Sequence, residues 1–141
     1  MSTDSVIESN FHGELIENSK KADDFTLTTN DNQTYNFKEE TEGKVTIIAF
    51  LFTNCYDICP IVTYNLGMIH ESLNQSQLDK IEFLTITVDP WRDNTTTLTE
   101  WKLGTKSNWT HLTINDVDEN SPEFIELSDV WANFNVGFSI E

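Results

Sequence analysis

The chain has 141 residues, enough for one domain with its own core; 24 acidic against 8 basic side chains give a formal charge of −16 and a pI near 4.2. A surface this acidic argues against nucleic acid and anionic membrane as partners; it favours solubility and is compatible with a cationic partner or a salty medium. No apolar run reaches the roughly eighteen residues of a transmembrane helix, and the opening MSTDSVIESNFHGELIENSKK lacks a signal peptide's basic-then-apolar pattern, so neither anchor nor export signal is expected in the chain.

Residues 1–22 read as a polar, irregular arm and residues 23–141 as one domain. Phe25–Thr28 and Thr34–Phe37 alternate on either side of Asn30-Asp31-Asn32, which predicts a small β-hairpin. Lys38–Lys44 reads as a charged loop. Val45–Phe52, apolar except for Thr46, is short and β-branched, as expected of a central strand buried on both faces.

After Thr53-Asn54 come Cys55 and Cys59, the two cysteines of the chain, with Pro60 directly behind. Proline suits the first turn of a helix, where its missing N–H is not needed. Val62, Leu66, Ile69 and Leu73 then recur at helical spacing. Asn74–Lys80 is a polar connection, and Ile81–Val88 is a second strand. Strand, helix and strand with short links predict a right-handed βαβ unit with parallel strands.

Asp89-Pro90 closes that strand, and Asn94 or Thr95 can cap a helix to about Thr105, with Leu98, Trp101 and Leu103 as candidate inner residues. Trp109–Ile114 is a short strand. Ser121-Pro122 marks a helix start whose apolar face is Phe124, Leu127, Val130, Trp131 and Phe134; the chain turns extended at Val136-Gly137-Phe138.

The chemistry concentrates at the thiols. A helix N-terminus favours negative charge and so stabilises a thiolate. Two cysteines four apart can close a disulfide if their Cα atoms approach within about 7 Å, or can chelate a soft metal such as Cu(I) or Zn(II). The polar neighbours Asn54, Tyr56 and Asp57 mark a loop rather than a core segment, against a pair of inert buried cysteines.

FHGELIENSKKADDFTLTTNDNQTYNF, the strand running into TNCYDICP, and ITVDPWRDN together resemble the soluble domain of the Sco/SenC family, in register from about Phe11 to Phe138. The specific element is Cys-x-x-x-Cys-Pro followed by Asp-Pro-x-Arg-Asp; ordinary thioredoxins have two residues between their cysteines. The resemblance implies an α/β, thioredoxin-like fold with an N-terminal β-hairpin. It implies a copper protein that helps assemble the binuclear copper site of cytochrome c oxidase, in a family that is membrane-anchored and extracytoplasmic. The expected partner is the copper-bearing oxidase subunit or another copper or thiol protein. Family copper is held by two cysteines and a distal histidine, and the cysteines also cycle between dithiol and disulfide. Cys55 and Cys59 match the cysteines, and Asp89, Pro90, Arg92 and Asp93 match the loop beside the site. Asp89, at the carboxyl end of a parallel strand, is expected near the thiols, or else simply paired with Arg92.

The family histidine belongs to a segment beyond these 141 residues, as does the terminal ββα unit of the fold. An incomplete domain is therefore expected, with an unpaired sheet edge and an uncovered apolar face. His70 lies eleven residues past Cys59, about 16 Å along the same helix, too far to share a metal with it. His111 matches a strand position that is not a ligand in the family, and His12 lies in the arm. A two-thiolate site suits Cu(I) better than Cu(II). The alternatives are a thiol–disulfide oxidoreductase and an inert fragment of a longer Sco protein. A peroxiredoxin-like peroxidase is disfavoured, because Asn54 breaks that pattern.

The remaining motifs carry less. Asn-x-Ser/Thr sequons at Asn32, Asn74, Asn94 and Asn108 are expected by chance in a chain rich in these residues. Residues 115–120, NDVDEN, lack the glycine and glutamate of a calcium loop and read as surface. The four tryptophans read as core or rim, with Trp91 a candidate partner contact.

Overall fold

A computed structural model of the chain describes residues 23–54 and 58–134, without the side chains of 58–60. Strands β1 (Thr26–Thr29) and β2 (Thr34–Asn36) form the expected hairpin, with Asn32 at a positive φ of 63° in the turn. Asparagine tolerates that left-handed conformation better than most residues. The charged loop expected next is instead a single helical turn, α1 (Phe37–Thr41). The Asn36 side chain caps it by accepting from Glu39 N, and Phe37 stacks on Phe25 at 4.6 Å.

Strand β3 (Val45–Leu51) leads to α2 (Ile58–Ser72), a short α3 (Gln75–Leu78) and β4 (Ile81–Thr87). The βαβ expectation holds: β3 and β4 are parallel and in register from Val45 opposite Ile81 to Leu51 opposite Thr87. The polar link contains α3 because Asn74 and Gln77 form a reciprocal capping box. Helix α4 (Thr95–Thr105), capped by Asn94, leads to β5 (Thr110–Thr113), parallel to β4. Helix α5 (Pro122–Asn133) begins as read, with Ser121 as cap and proline in its first turn.

The sheet order is β2-β1-β5-β4-β3. Two sequence expectations change here. Among the described residues β3 is an edge strand, not a central one, and Thr46–Phe50 are only half-buried. The strand buried on both faces is β4, whose residues Phe83–Thr87 are all buried. An apolar run has no feature that tells a paired edge from a bare one. The stripe on α2 is rotated in part: Val62 and Ile69 point outward, Leu66 and, just past the helix, Leu73 stay half-buried as read, and Thr63, Gly67 and His70 join them on the inner side. On α4, Leu98 is buried, but Leu103 is exposed.

The core joins the hairpin, β4, β5 and α5 through Leu27, Leu84, Ile86, Leu112, Leu127, Val130 and Trp131. Apolar burial of this kind supplies most of the driving force for folding. Around β3 and α2 burial is thinner. Ile61, Tyr64 and Met68 remain exposed on α2, as does Val45 at the start of β3. Among the described residues β3 is the bare edge expected from the sequence, and most of the exposed apolar side chains near it lie on α2. No helix among them is long and apolar enough to cross a membrane.

Candidate dithiol metal centre

The three parallel strands β3, β4 and β5 put their carboxyl ends on one side of the sheet, where sites in open α/β sheets gather. Each ends on or near a threonine: Thr53 two residues past β3, Thr87 last in β4 and Thr113 last in β5. All three converge on Asp93, which is fully buried. One carboxylate oxygen of Asp93 accepts from Thr53 N at 3.1 Å and from Thr87 Oγ1 at 2.7 Å. The other accepts from Thr53 Oγ1 at 2.5 Å, and the Asp93 carbonyl accepts from Thr113 Oγ1 at 2.6 Å. The short distances to the carboxylate are typical of charge-assisted bonds.

The turn carrying Asp93 follows from Asp89-Pro90. Arg92 N and Asp93 N both donate to the Asp89 carbonyl, at 3.2 and 2.9 Å, and Asp89 N donates to Thr87 Oγ1 at 2.9 Å. Proline in the second position presets the backbone for such a turn, and Pro90 is buried. The Asp89 carboxylate lies 3.7 Å from Arg92 Nε, so these two pair with each other. Arg92 is largely exposed, and the pair is weak. Of the two readings of Asp89, the structure shows the pairing with Arg92, and the loop residue bonded to the segment leading to the cysteines is Asp93.

Cys55 lies outside the described residues. Cys59 lies in the first turn of α2 by its backbone, a turn without acidic residues. A helix N-terminus of this kind favours a thiolate.

The two described histidines, His70 and His111, make their contacts away from Asp93 and Thr53. His111 is fully buried, with Nε2 3.0 Å from Ser107 Oγ and 3.1 Å from the Ser107 carbonyl, while Nδ1 has no partner. Burial holds its pKa down to about 4. His70 packs against Phe83 and Trp109, with ring centroids 5.0 and 5.6 Å away. His12 lies outside the described residues. Among the described residues no group of three His, Cys, Asp or Glu side chains is placed to hold a metal. Two thiolates, where a chain supplies them, would suit a soft metal such as Cu(I).

Beside the site, an aromatic series runs inward from half-exposed Trp91 to Phe124 at 5.6 Å and on to Trp131 at 6.1 Å; Trp131 Nε1 donates to the Thr87 carbonyl at 3.0 Å. Sequence reasoning missed the threonines Thr53, Thr87 and Thr113. The available signal was a threonine at or just past the end of each of three strands, which reads as ordinary β-propensity.

The SCO1/SenC family model matches residues 13–118. Among curated proteins, a SCO2-like protein of Rickettsia felis is 35% identical over 85 residues, 60% of this chain and 40% of that protein. The chain thus spans well under half the length of this relative. Among solved structures, copper-bound yeast Sco1 superposes with a TM-score of 0.70 at 27% identity, covering 86% of this chain and 62% of that one. BsSco, described as a Sco-family cytochrome c oxidase assembly protein with a disulfide switch, gives 0.65 at 21% identity, covering 86% and 67%. The last likeness is one of fold alone.

Proposed function

The chain belongs to the SCO1/SenC family, and on that premise we propose that Cys55 and Cys59 form a two-thiolate site that carries Cu(I) as cargo to a copper site of cytochrome c oxidase under assembly. The observation that supports this most is the position of Cys59 in the first turn of α2, which follows the carboxyl end of β3. The copper-bound yeast relative shares this fold. Transfer proceeds by ligand exchange: a partner thiolate forms a bond to the cargo ion as one chain thiolate leaves, with no change in oxidation state. Two soft ligands hold the ion while leaving room for the incoming one.

Titration of the reduced protein with Cu(I) against a weak competing chelator tests this. One equivalent should bind, and Cys55→Ser or Cys59→Ser should abolish the uptake. No uptake by the wild-type chain would end the copper reading.

The same cysteines support a second reading, a thiol–disulfide oxidoreductase, since two thiols four residues apart can also close a disulfide. One thiolate attacks a partner disulfide and expels a partner thiolate. The second then displaces the other partner sulfur, leaving the chain oxidised and the partner reduced by two electrons. Turnover on a disulfide substrate without copper uptake would select this reading.

A further inference from the structure

We infer that Asp93 is the positioning residue of the dithiol site, setting through Thr53 where the main chain delivers Cys55. The inference rests on the reading of Cys55 and Cys59 as a working pair, in either of its two forms. The parallel ladder between β3 and β4 closes with Val88 N donating to the Leu51 carbonyl at 3.0 Å. Two residues later Thr53 N turns to the Asp93 side chain instead of a strand, and the Thr53 hydroxyl does the same. Cys55 follows two residues on. Among the described residues β3 has one strand neighbour, so no second ladder fixes this exit.

Stability alone does not account for Asp93. It is fully buried, and among the described residues the ion pairs are Lys44–Glu82 and Arg92–Asp89, so no cation compensates it. A buried charge held only by hydroxyls and an amide is costly, and apolar residues of similar volume often stabilise a fold better. What the carboxylate provides is geometry. It binds the ends of β3 and β4 through its side chain and that of β5 through its carbonyl, and so ties the exit of the edge strand to the rigid centre of the sheet. Groups that support metal ligands from behind typically change affinity 10- to 100-fold when removed.

The test compares Asp93→Ala, Asp93→Asn and Thr53→Val with wild type, reading the Cys55–Cys59 reduction potential, Cu(I) affinity by chelator competition, and the melting temperature. Asparagine keeps an oxygen for Thr53 N and Thr87 Oγ1, and its amide can donate to the Thr53 hydroxyl, so it should restore placement without charge. Asp93→Ala and Thr53→Val should weaken Cu(I) binding about tenfold. They should also make the disulfide about tenfold easier to reduce, roughly 30 mV more positive. Asp93→Asn should stay within about threefold of wild type on both measures. If Asp93→Ala does not fold, Thr53→Val, which keeps the charge and the side-chain shape, carries the comparison. Potentials and affinities within twofold of wild type alongside a lowered melting temperature would overturn the proposal, leaving Asp93 merely structural. An asparagine variant as impaired as the alanine one would overturn it too, since charge rather than placement would then matter. Should the wild-type chain bind no Cu(I), the copper reading fails by itself, and the potentials still decide the role of Asp93.

Discussion

The hairpin side of the sheet and the cysteine side are held together by different forces. On the hairpin side, β1, β2, β5 and α5 meet β4 in a continuous apolar core around Ile86, Leu112 and Leu127, each with no exposed surface. On the cysteine side, β3 is half-buried along Thr46–Phe50, and α2 turns Ile61, Tyr64 and Met68 outward. The exit of β3 is fixed instead by hydrogen bonds to one buried carboxylate. Apolar burial is strong but indifferent to direction, whereas a hydrogen bond adds little net stability but fixes a position. One half thus holds most of the apolar burial, while in the other the exit of β3 is held by hydrogen bonds.

The largest test of this division is Leu127→Ala on α5. It removes a fully buried side chain from the packed half and should cost about 2–5 kcal/mol in denaturant unfolding, with the cysteine side unfolding in the same transition. A loss under about 1 kcal/mol would erase the contrast.

Acid is the second test. His111, on β5, is neutral in the folded chain with its pKa held down to about 4, against an ordinary value of 6.5. The unfolded chain therefore binds the proton first. Stability from this residue is full above about pH 6.5 and is lost as the pH falls through 4, by about 3 kcal/mol in all. Unfolding measured between pH 7 and 4 should fall more steeply for wild type than for His111→Gln; parallel slopes would contradict it.

The smallest effect is expected from Met68→Ser on the outer face of α2, within about 0.5 kcal/mol of wild type. A loss of 2 kcal/mol or more would show that this face is covered and that the cysteine side is packed like the other.

Most of the fold could be read from periodicity and punctuation. The hairpin turn at Asn32, the parallel pair β3 and β4, and the Ser121-Pro122 helix start are local signals, and local signals survive folding. Position within the sheet was not legible, because Val45–Leu51 has the same apolar character whether one edge is paired or two. The rotation of α2 was hidden for a related reason: its most buried described side chain is Thr63, while isoleucine and methionine lie outside. At the site, the matched loop was found, but not which of its carboxylates binds the cysteine-bearing segment. That depended on threonines 6, 20 and 40 residues from Asp93, brought together only by the sheet.

The asparagines that cap helices carry a consequence for the chemical ageing of the chain. Asn74 and Asn94 cap α3 and α4 through their side-chain oxygens, accepting from Gln77 N and Thr97 N. Slow hydrolysis of either amide would keep that acceptor and add a negative charge where a helix N-terminus welcomes one. Asn36 differs, since its amide nitrogen also donates to the Asp24 carboxylate at 3.1 Å and to Thr26 Oγ1 at 3.2 Å. The same conversion there would set two carboxylates against each other beside the first strand, so wear at α1 would loosen the hairpin while wear at α3 and α4 would pass almost without trace.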